Sequence, residues 1–218
     1  MGQSNKKKPT HKVVLIEDSH LKGFSTTLQS VLPSECEILS VVKLGACSDQ
    51  LSKSITNTIL RLNKDDILVL GSGTNDYGQV NFKSTLSNFK KFLPTLSHTN
   101  VLLLGIPNRY DLPNSVAVNL QIFKINKNLS KLTQILPYIS YLNANNDRKL
   151  FTRHGLHQNK LGKRTIIAQI SAYVFSLFKS KTQTSIPLAW HEPNTEDQDV
   201  KQSENPDTYP KTNWNEKL

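Results

Sequence analysis

The sequence has few cysteines and no long apolar run, and each absence excludes a class of protein. Its 218 residues include two cysteines, Cys36 and Cys47, without a Cys-x-x-Cys pair, so neither a disulfide framework nor a redox motif is expected. No stretch approaches the ~18 consecutive apolar residues that a membrane-spanning helix needs. The basic start has no apolar segment behind it and does not match a secretory signal. We therefore expect an intracellular protein, cytoplasmic or nuclear, without a transmembrane segment.

Basic residues outnumber acidic ones, and the excess lies in the first 178 residues. The chain carries 27 Lys/Arg and 17 Asp/Glu. Residues 1–178 hold 22 of the basic and 10 of the acidic residues, whereas residues 179–218 hold 5 and 7. A basic body can attract nucleic acid or anionic surfaces. The charges are scattered, however, with no zinc finger or RNP motif, so weak nucleic-acid binding and a merely solvated basic surface both stay open.

Strand and helix patterns alternate along the middle of the chain. Short apolar runs predict strands, and longer stretches with apolar residues at helical spacing predict helices. The predicted strands are 12–16, 37–44, 66–70, 100–106 and 138–142, and the predicted helices are 20–32, 48–62, 82–96, 115–136 and 160–178. The strand runs are continuous rather than alternating, which favours a parallel sheet covered by helices on both faces. We expect one α/β domain over 12–178, a flexible basic arm at 1–11 and a disordered polar tail at 179–218.

Two of the predicted strand-to-helix junctions carry residues suited to nucleophilic catalysis. Ser19 directly follows the first strand, where the start of a predicted helix could help to stabilise an oxyanion. His157 lies in residues 153–159 (RHGLHQN), just before the last helix, where a histidine can reach across the sheet edge to a serine. Ser19 can instead be a helix cap, and His154 and His157 can be structural histidines. A metal site is not expected, because no further Asp, Glu, His or Cys cluster completes the histidine pair.

Two more loops follow the second and third predicted strands. Gly45 lies in the first of them, where a glycine lets a backbone N–H approach a substrate closely. Asn75 lies in the second, within residues 71–76 (GSGTND), and its side-chain amide can donate to a developing oxyanion. Each loop alone could be an ordinary turn. Each of the four loops lies at the carboxyl end of a predicted strand. A parallel sheet places these ends at one edge, and ligands bind at that edge.

Together the four loops resemble the SGNH, or GDSL-like, hydrolase superfamily. That superfamily has Gly-Asp-Ser after strand one, a glycine after strand two, Gly-x-Asn-Asp after strand three and Asp-x-x-His before the last helix. This sequence presents Ser19, Gly45, Asn75 and His157 in that order, and residues 73–76 (GTND) match the third block fully. The resemblance covers residues 12–178. It implies a three-layer α/β/α, flavodoxin-like fold with a parallel sheet.

The resemblance implies an esterase with Ser19 as the nucleophile and His157 as the general base. The expected substrate is a small-molecule or lipid ester, or a thioester. The oxyanion hole would consist of the backbone N–H groups of Ser19 and Gly45 and the side-chain amide of Asn75. The resemblance implies no metal ion and no organic cofactor.

Two positions depart from the family's pattern. Glu17 stands where the family has glycine and brings a carboxylate close to the nucleophile, which could crowd or charge the site. His154 stands where the family has the aspartate that holds the tautomer of the base and stabilises its imidazolium. A neutral His154 supplies no negative charge. It can accept a hydrogen bond from His157, however, and is therefore included among the candidate catalytic residues. The alternative hypothesis is a catalytically weakened SGNH-fold binding module.

Two further hypotheses come from other stretches of the chain. Residues 98–113 and 151–163 also resemble the esterase-type domains attached to some LINE-type retrotransposon first open reading frames, which implies a retroelement-derived protein whose basic body could hold RNA. An unrelated flavodoxin-like protein with a phosphate-binding glycine loop is the remaining hypothesis. Residues 71–73 (GSG) lack the Lys-Ser/Thr ending of a P-loop, which argues against nucleotide binding.

Overall fold

Five parallel strands form one sheet in the part of the chain that the structure describes. The computed structural model describes residues 10–17, 19–77 and 82–181, without the side chains of residues 17, 52, 54, 82, 180 and 181. The strands are β1 (His11–Glu17), β2 (Cys36–Val42), β3 (Ile67–Leu70), β4 (Asn100–Leu104) and β5 (Ile139–Leu142). They lie side by side in the order β2-β1-β3-β4-β5, and every neighbouring pair is parallel. The predicted parallel α/β sheet is confirmed.

Helices cover both faces of the sheet and complete three layers. They are α1 (Phe24–Val31), α2 (Asn57–Leu60), α3 (Phe82–Phe92), α4 (Ser115–Gln134) and α5 (Lys160–Lys181). On one face Phe89 of α3 and Ile122 of α4 pack with Leu68 of β3. On the other face Phe24 of α1 and Ile170 of α5 belong to a second apolar cluster. The expected α/β/α architecture is therefore present.

The central strands are buried on both sides. Successive residues of β1 alternate between the two apolar clusters, with Val13 in one and Val14 in the other. All four residues of β3 are fully buried, which is why the run is continuously apolar. Each fully buried apolar side chain of this kind contributes roughly 1.5–3 kcal/mol. The loops that leave these strands therefore start from rigid ends.

The strand order creates a crevice at the carboxyl edge between β1 and β3. From β1 the chain passes to β2 on one side, and from β2 it crosses to β3 on the other side. In parallel α/β sheets, ligands bind where the chain connections diverge in this way. The loops after β1, β2, β3 and β4 all open at this edge.

Two predicted helices are not continuous α-helices in the structure. The helix predicted over 48–62 is instead a 3-10 helix over Ser48–Ser54, followed by the short α2. The Ser48 hydroxyl at the start of this segment donates to Asp76, 28 residues away in the sequence. The helix predicted over 82–96 changes from α3 to a 3-10 helix at Leu93–Leu96, next to Pro94, since proline cannot continue an α-helix.

The ends of the chain lie partly outside the described residues. Helix α5 extends to Lys181, three residues beyond its predicted end. The expected flexible arm falls almost entirely on residues 1–9, and most of the expected polar tail falls on residues 182–218, none of which the structure describes. In the described part of the chain, no helix is both long enough and apolar enough to cross a lipid bilayer.

Candidate active site

Ser19 lies in a turn at the carboxyl end of β1. The turn comprises residues 19–23, and α1 begins only at Phe24, so the predicted helix start at residue 20 is wrong. Gly23 closes the turn with a left-handed φ of 86°, a conformation that glycine adopts without steric cost. Ser19 is half-buried. Because the turn separates it from α1, the strand end rather than the helix start positions this serine.

The loops after β2 and β3 are joined to each other. The side-chain Nδ2 of Asn75 donates to the backbone oxygen of Ala46 at 3.2 Å, and the Sγ of Cys47 donates to the backbone oxygen of Asn75 at 3.3 Å. Gly45 precedes this contact, is exposed and has a φ of 72°. The structure therefore brings together the loops of two predicted oxyanion-binding residues, Gly45 and Asn75.

A fully buried carboxylate, Asp76, fixes this pair of loops. It accepts hydrogen bonds from the backbone N–H of Ser48 at 2.7 Å and from the Ser48 hydroxyl at 2.5 Å. It also accepts from the Thr85 hydroxyl of α3 at 2.5 Å. Three donors from two segments satisfy the buried group, as burial of a carboxylate requires. Asp76 therefore holds the neighbouring Asn75 in position.

His157 lies on a short loop that leads into α5. The backbone N–H of Thr152 donates to the backbone oxygen of His157 at 2.8 Å, and an antiparallel bridge pairs Phe151 with Gln158. These contacts close the loop around Gly155, whose φ is 80°. His157 is half-buried, whereas His154 is exposed.

The loops bearing Ser19 and His157 meet through His20. The His20 and His157 rings are tilted by 43° with their centroids 5.0 Å apart. Burial lowers the pKa of His20 to about 3, with further lowering by His157 and by Arg109. Burial also lowers the pKa of His157, followed in effect by the positive charge of Lys163. Both rings are therefore neutral at pH 7, and a neutral His157 can accept a proton.

The loop after β4 connects the loop of Asn75 to the loop of His157. Arg109 Nη1 donates to the backbone oxygen of Thr74 at 3.0 Å, and its Nε and Nη2 donate to the two carboxylate oxygens of Asp111, both at 2.7 Å. The backbone N–H of Tyr110 donates to the backbone oxygen of Gly155 at 3.0 Å. An ion pair that is largely buried thus lies beside the histidine loops.

A small cavity opens among these loops. Its volume is about 30 Å³. It is lined by His20, Leu21, Gly71, Ser72, Thr74, Leu104, Gly105, Pro107, Ala144, Gln158 and Ile166. Most of this lining is apolar, which suits an uncharged group. Among the described residues, no three His, Cys, Asp or Glu side chains are grouped so that they could hold a metal ion.

Comparison with known proteins finds similar folds among solved structures. No protein-family model matches the sequence, and no curated protein matches it. A GDSL-like lipase from Bacteroides thetaiotaomicron aligns with a TM-score of 0.57 at 17% identity, over 81% of this chain and 92% of that chain. A member of the lipolytic protein G-D-S-L family from Veillonella parvula aligns with a TM-score of 0.61 at 14% identity, over 76% of this chain and 98% of that chain. The chain has the SGNH, or GDSL-type, hydrolase fold.

A third solved structure has the same SGNH fold. A lipase/acylhydrolase from Enterococcus faecalis aligns with a TM-score of 0.55 at 13% identity, over 76% of this chain and 96% of that chain. At such identities the similarity concerns the fold, and the chemistry depends on the residues of this chain.

The fold brings the loops of the predicted site residues together in two pairs. Gly45 and Asn75 meet through Ala46, and the loops of Ser19 and His157 meet through His20. No hydrogen bond joins Ser19 to His157 among the described residues; such bonds often form only when substrate binds. The sequence predicts that the Glu17 carboxylate crowds the site. The structure does not describe this side chain, so the prediction stays a prediction.

Sequence reasoning missed three residues of this site. His20 is predicted only as the first residue of a helix, and Arg109 and Asp111 lie in a segment to which the motifs assign no role. Their signal was the position of a polar Arg-Tyr-Asp segment after the apolar strand β4, at the edge where the other site loops lie.

Proposed function

We propose that this protein is a serine esterase with Ser19 as the nucleophile and His157 as the general base. The observation that carries the proposal is the 5.0 Å contact between the His20 and His157 rings. In support of the proposal, this contact joins the loop of Ser19 to the loop of His157 at the carboxyl edge of the sheet. The lowered pKa of His157 supports the role of a base, because the ring is unprotonated at neutral pH.

The proposed reaction has two steps. Ser19 Oγ attacks the carbonyl carbon of the ester and loses its proton to His157. The bond to the alcohol then breaks as His157 returns this proton to the leaving oxygen, which leaves an acyl-enzyme on Ser19. A water molecule attacks the acyl group while His157 accepts one of its protons, and that proton returns to Ser19 Oγ as the acid leaves. The balance of atoms needs water alone, without a metal ion or organic cofactor.

We assign the oxyanion hole to the backbone N–H groups of Ser19 and Gly45 and to the amide of Asn75. One N–H of that amide donates to Ala46, which fixes the amide plane, and the second would donate to the oxyanion. The left-handed φ of Gly45 supports its assignment, since the absence of a side chain allows close approach of a substrate. The assignment of His154 as a replacement for the acid is supported by motif spacing alone, since His154 is exposed.

The cavity supports a short acyl group as the preferred substrate. Its volume of about 30 Å³ is about twice the ~10–15 Å³ that a cavity needs to hold one water molecule, so it has room for a short acyl group. Leu21, Leu104 and Ile166 provide apolar contacts for such a group. We expect acetyl esters to react faster than esters of long fatty acids.

Hydrolysis of p-nitrophenyl acetate and p-nitrophenyl decanoate tests the proposal. The wild type should hydrolyse the acetate faster, and Ser19→Ala and His157→Gln should each lower kcat by roughly 10³-fold or more. Matched controls are Ser30→Ala, an exposed serine on α1, and His98→Gln, before β4; both should keep the wild-type rate. A folded Ser19→Ala variant with wild-type activity would overturn the proposal.

The second candidate function is a binding module with the SGNH fold. Two observations favour it: the exposed His154 at the position of the family's acid, and the excess of basic residues over 1–178. RNA binding that persists in Ser19→Ala, together with no ester hydrolysis by the wild type, would favour this candidate over the esterase.

A further inference from the structure

The loop after β4 is held in a defined conformation beside the histidine loop. Asn119 of α4 accepts the backbone N–H of Arg109 at 2.7 Å through Oδ1, and its Nδ2 donates to the backbone oxygen of Arg109 at 3.2 Å. The Arg109 guanidinium binds both oxygens of Asp111, and only 12% and 20% of these two side chains are exposed. A bidentate pair with this little exposure has a fixed orientation.

Tyr110 attaches this ion pair to the loop of His157. Its backbone N–H donates to the backbone oxygen of Gly155, and a Cβ at residue 155 would lie 2.6 Å from the Cβ of Tyr110. Tyr110 also packs edge-on against Phe151, with ring centroids 5.0 Å apart. Asp111 therefore directly follows Tyr110, and His157 lies two residues after Gly155. Both are close in sequence to the hydrogen bond that joins the two loops.

We propose that Asp111, positioned by Arg109, supplies the negative charge that stabilises the protonated ring of His157 during the reaction. In this arrangement an acid from the β4–α4 loop replaces the acid that the family has three residues before its histidine, where this chain has His154. The inference rests on the proposed esterase function. Asp111 is a positioning and electrostatic residue here, since it acts on the substrate only through His157.

The balance of the two charges at each histidine supports this assignment. At His157 the negative charge of Asp111, which raises the pKa, has a larger effect than the positive charge of Arg109, which lowers it. At His20 the order is reversed, and Arg109 has the larger effect. The net effect of the pair therefore favours a protonated ring at His157 and disfavours one at His20. The hydrogen bonds from Arg109 lower the pKa of Asp111, so this carboxylate is ionised whenever His157 is a base.

The charged and titratable groups around His157 come from three elements. Lys163 belongs to α5, Arg109 and Asp111 belong to the β4–α4 loop, and His20 belongs to the turn after β1. Among these groups, Asp111 is the acid. Without its charge, burial, Lys163 and Arg109 would all oppose the formation of an imidazolium at His157.

Removing the negative or the positive charge of the pair should shift the pKa of His157 in opposite directions. A general distortion of the loop would not produce opposite shifts. Ring NMR titrations should show a lower His157 pKa in Asp111→Asn and a higher one in Arg109→Gln, and the double variant should return towards the wild type. Asp111→Asn should lower kcat on p-nitrophenyl acetate about tenfold with a smaller change in KM, and Asp111→Glu should restore part of the loss. Asp65→Asn is the control, because it removes the same charge from the opposite edge of the sheet.

The outcomes separate this inference from the proposed function. Shifts of the His157 pKa in the same direction in Asp111→Asn and Arg109→Gln, or in neither, would overturn the inference. A larger shift in His154→Asn than in Asp111→Asn would return the role to His154. The NMR measurement needs no turnover, so it can be read even if Ser19→Ala shows that the protein is not an esterase.

Discussion

The buried His20 should make the protein lose stability as the pH falls below neutrality. Its pKa is about 3 in the folded chain, against 6.5 for an ordinary histidine, and only 4% of the residue is exposed. Above pH 6.5 the ring is neutral in both the folded and the unfolded chain. Between pH 6.5 and 3 the unfolded chain binds a proton that the folded chain excludes, so stability decreases by about 1.4 kcal/mol per pH unit. At pH 5 the accumulated loss is about 2 kcal/mol.

Urea unfolding at pH 7, 6 and 5, followed by circular dichroism, measures this loss. The free energy of unfolding of the wild type should fall by about 2 kcal/mol more than that of His20→Gln over this range. His154→Gln is the matched control, because His154 is exposed, and it should keep the wild-type pH dependence. An equal pH dependence in the wild type and in His20→Gln would refute the reasoning that burial keeps His20 neutral.

Two further predictions concern the residues that fix the site loops. Asp76→Asn should lower the free energy of unfolding by about 3 kcal/mol, because one amide cannot accept the bonds of three buried donors; thermal unfolding should show a fall in Tm of about 8 °C. A Tm within about 2 °C of the wild type would contradict this role. Gly155→Ala should cost more stability than Gly23→Ala, since both glycines have positive φ but only residue 155 has Tyr110 within 4 Å of a Cβ. Equal losses for the two variants in the same measurement would contradict the close approach of Tyr110.

Much of the fold could be predicted because its strands are continuous buried runs. The run predicted as a strand over 66–70 is β3 at Ile67–Leu70, and Asp66 before it is buried but accepts the backbone N–H groups of Lys12 and Asn63. The helix predicted over 48–62 failed because the contact of Ser48 with Asp76 is between residues far apart in sequence. Local spacing of apolar residues carries no information about such a contact.

Only the residues of the candidate site that belong to the sequence motifs could be predicted. The order of Ser19, Gly45, Asn75 and His157 along the chain was enough to select the SGNH fold. Asp111 was not identified, because the contact that joins its loop to the loop of His157 is made by Tyr110 and Gly155, which are 45 residues apart in sequence. The spacing of the family motif predicts that His154 stands at the position of the acid, but His154 is exposed in the structure.

Mapping the site of reaction with a fluorophosphonate tests the central claim, that Ser19 is an activated nucleophile, most directly. The reagent bonds to a serine oxygen that an adjacent base activates, and peptide mass spectrometry identifies the modified residue. We predict a single adduct at Ser19 in the wild type, its loss in Ser19→Ala and a slower reaction in His157→Gln. An unmodified Ser19 in the folded wild-type protein, or equal labelling of Ser19→Ala, would contradict the account.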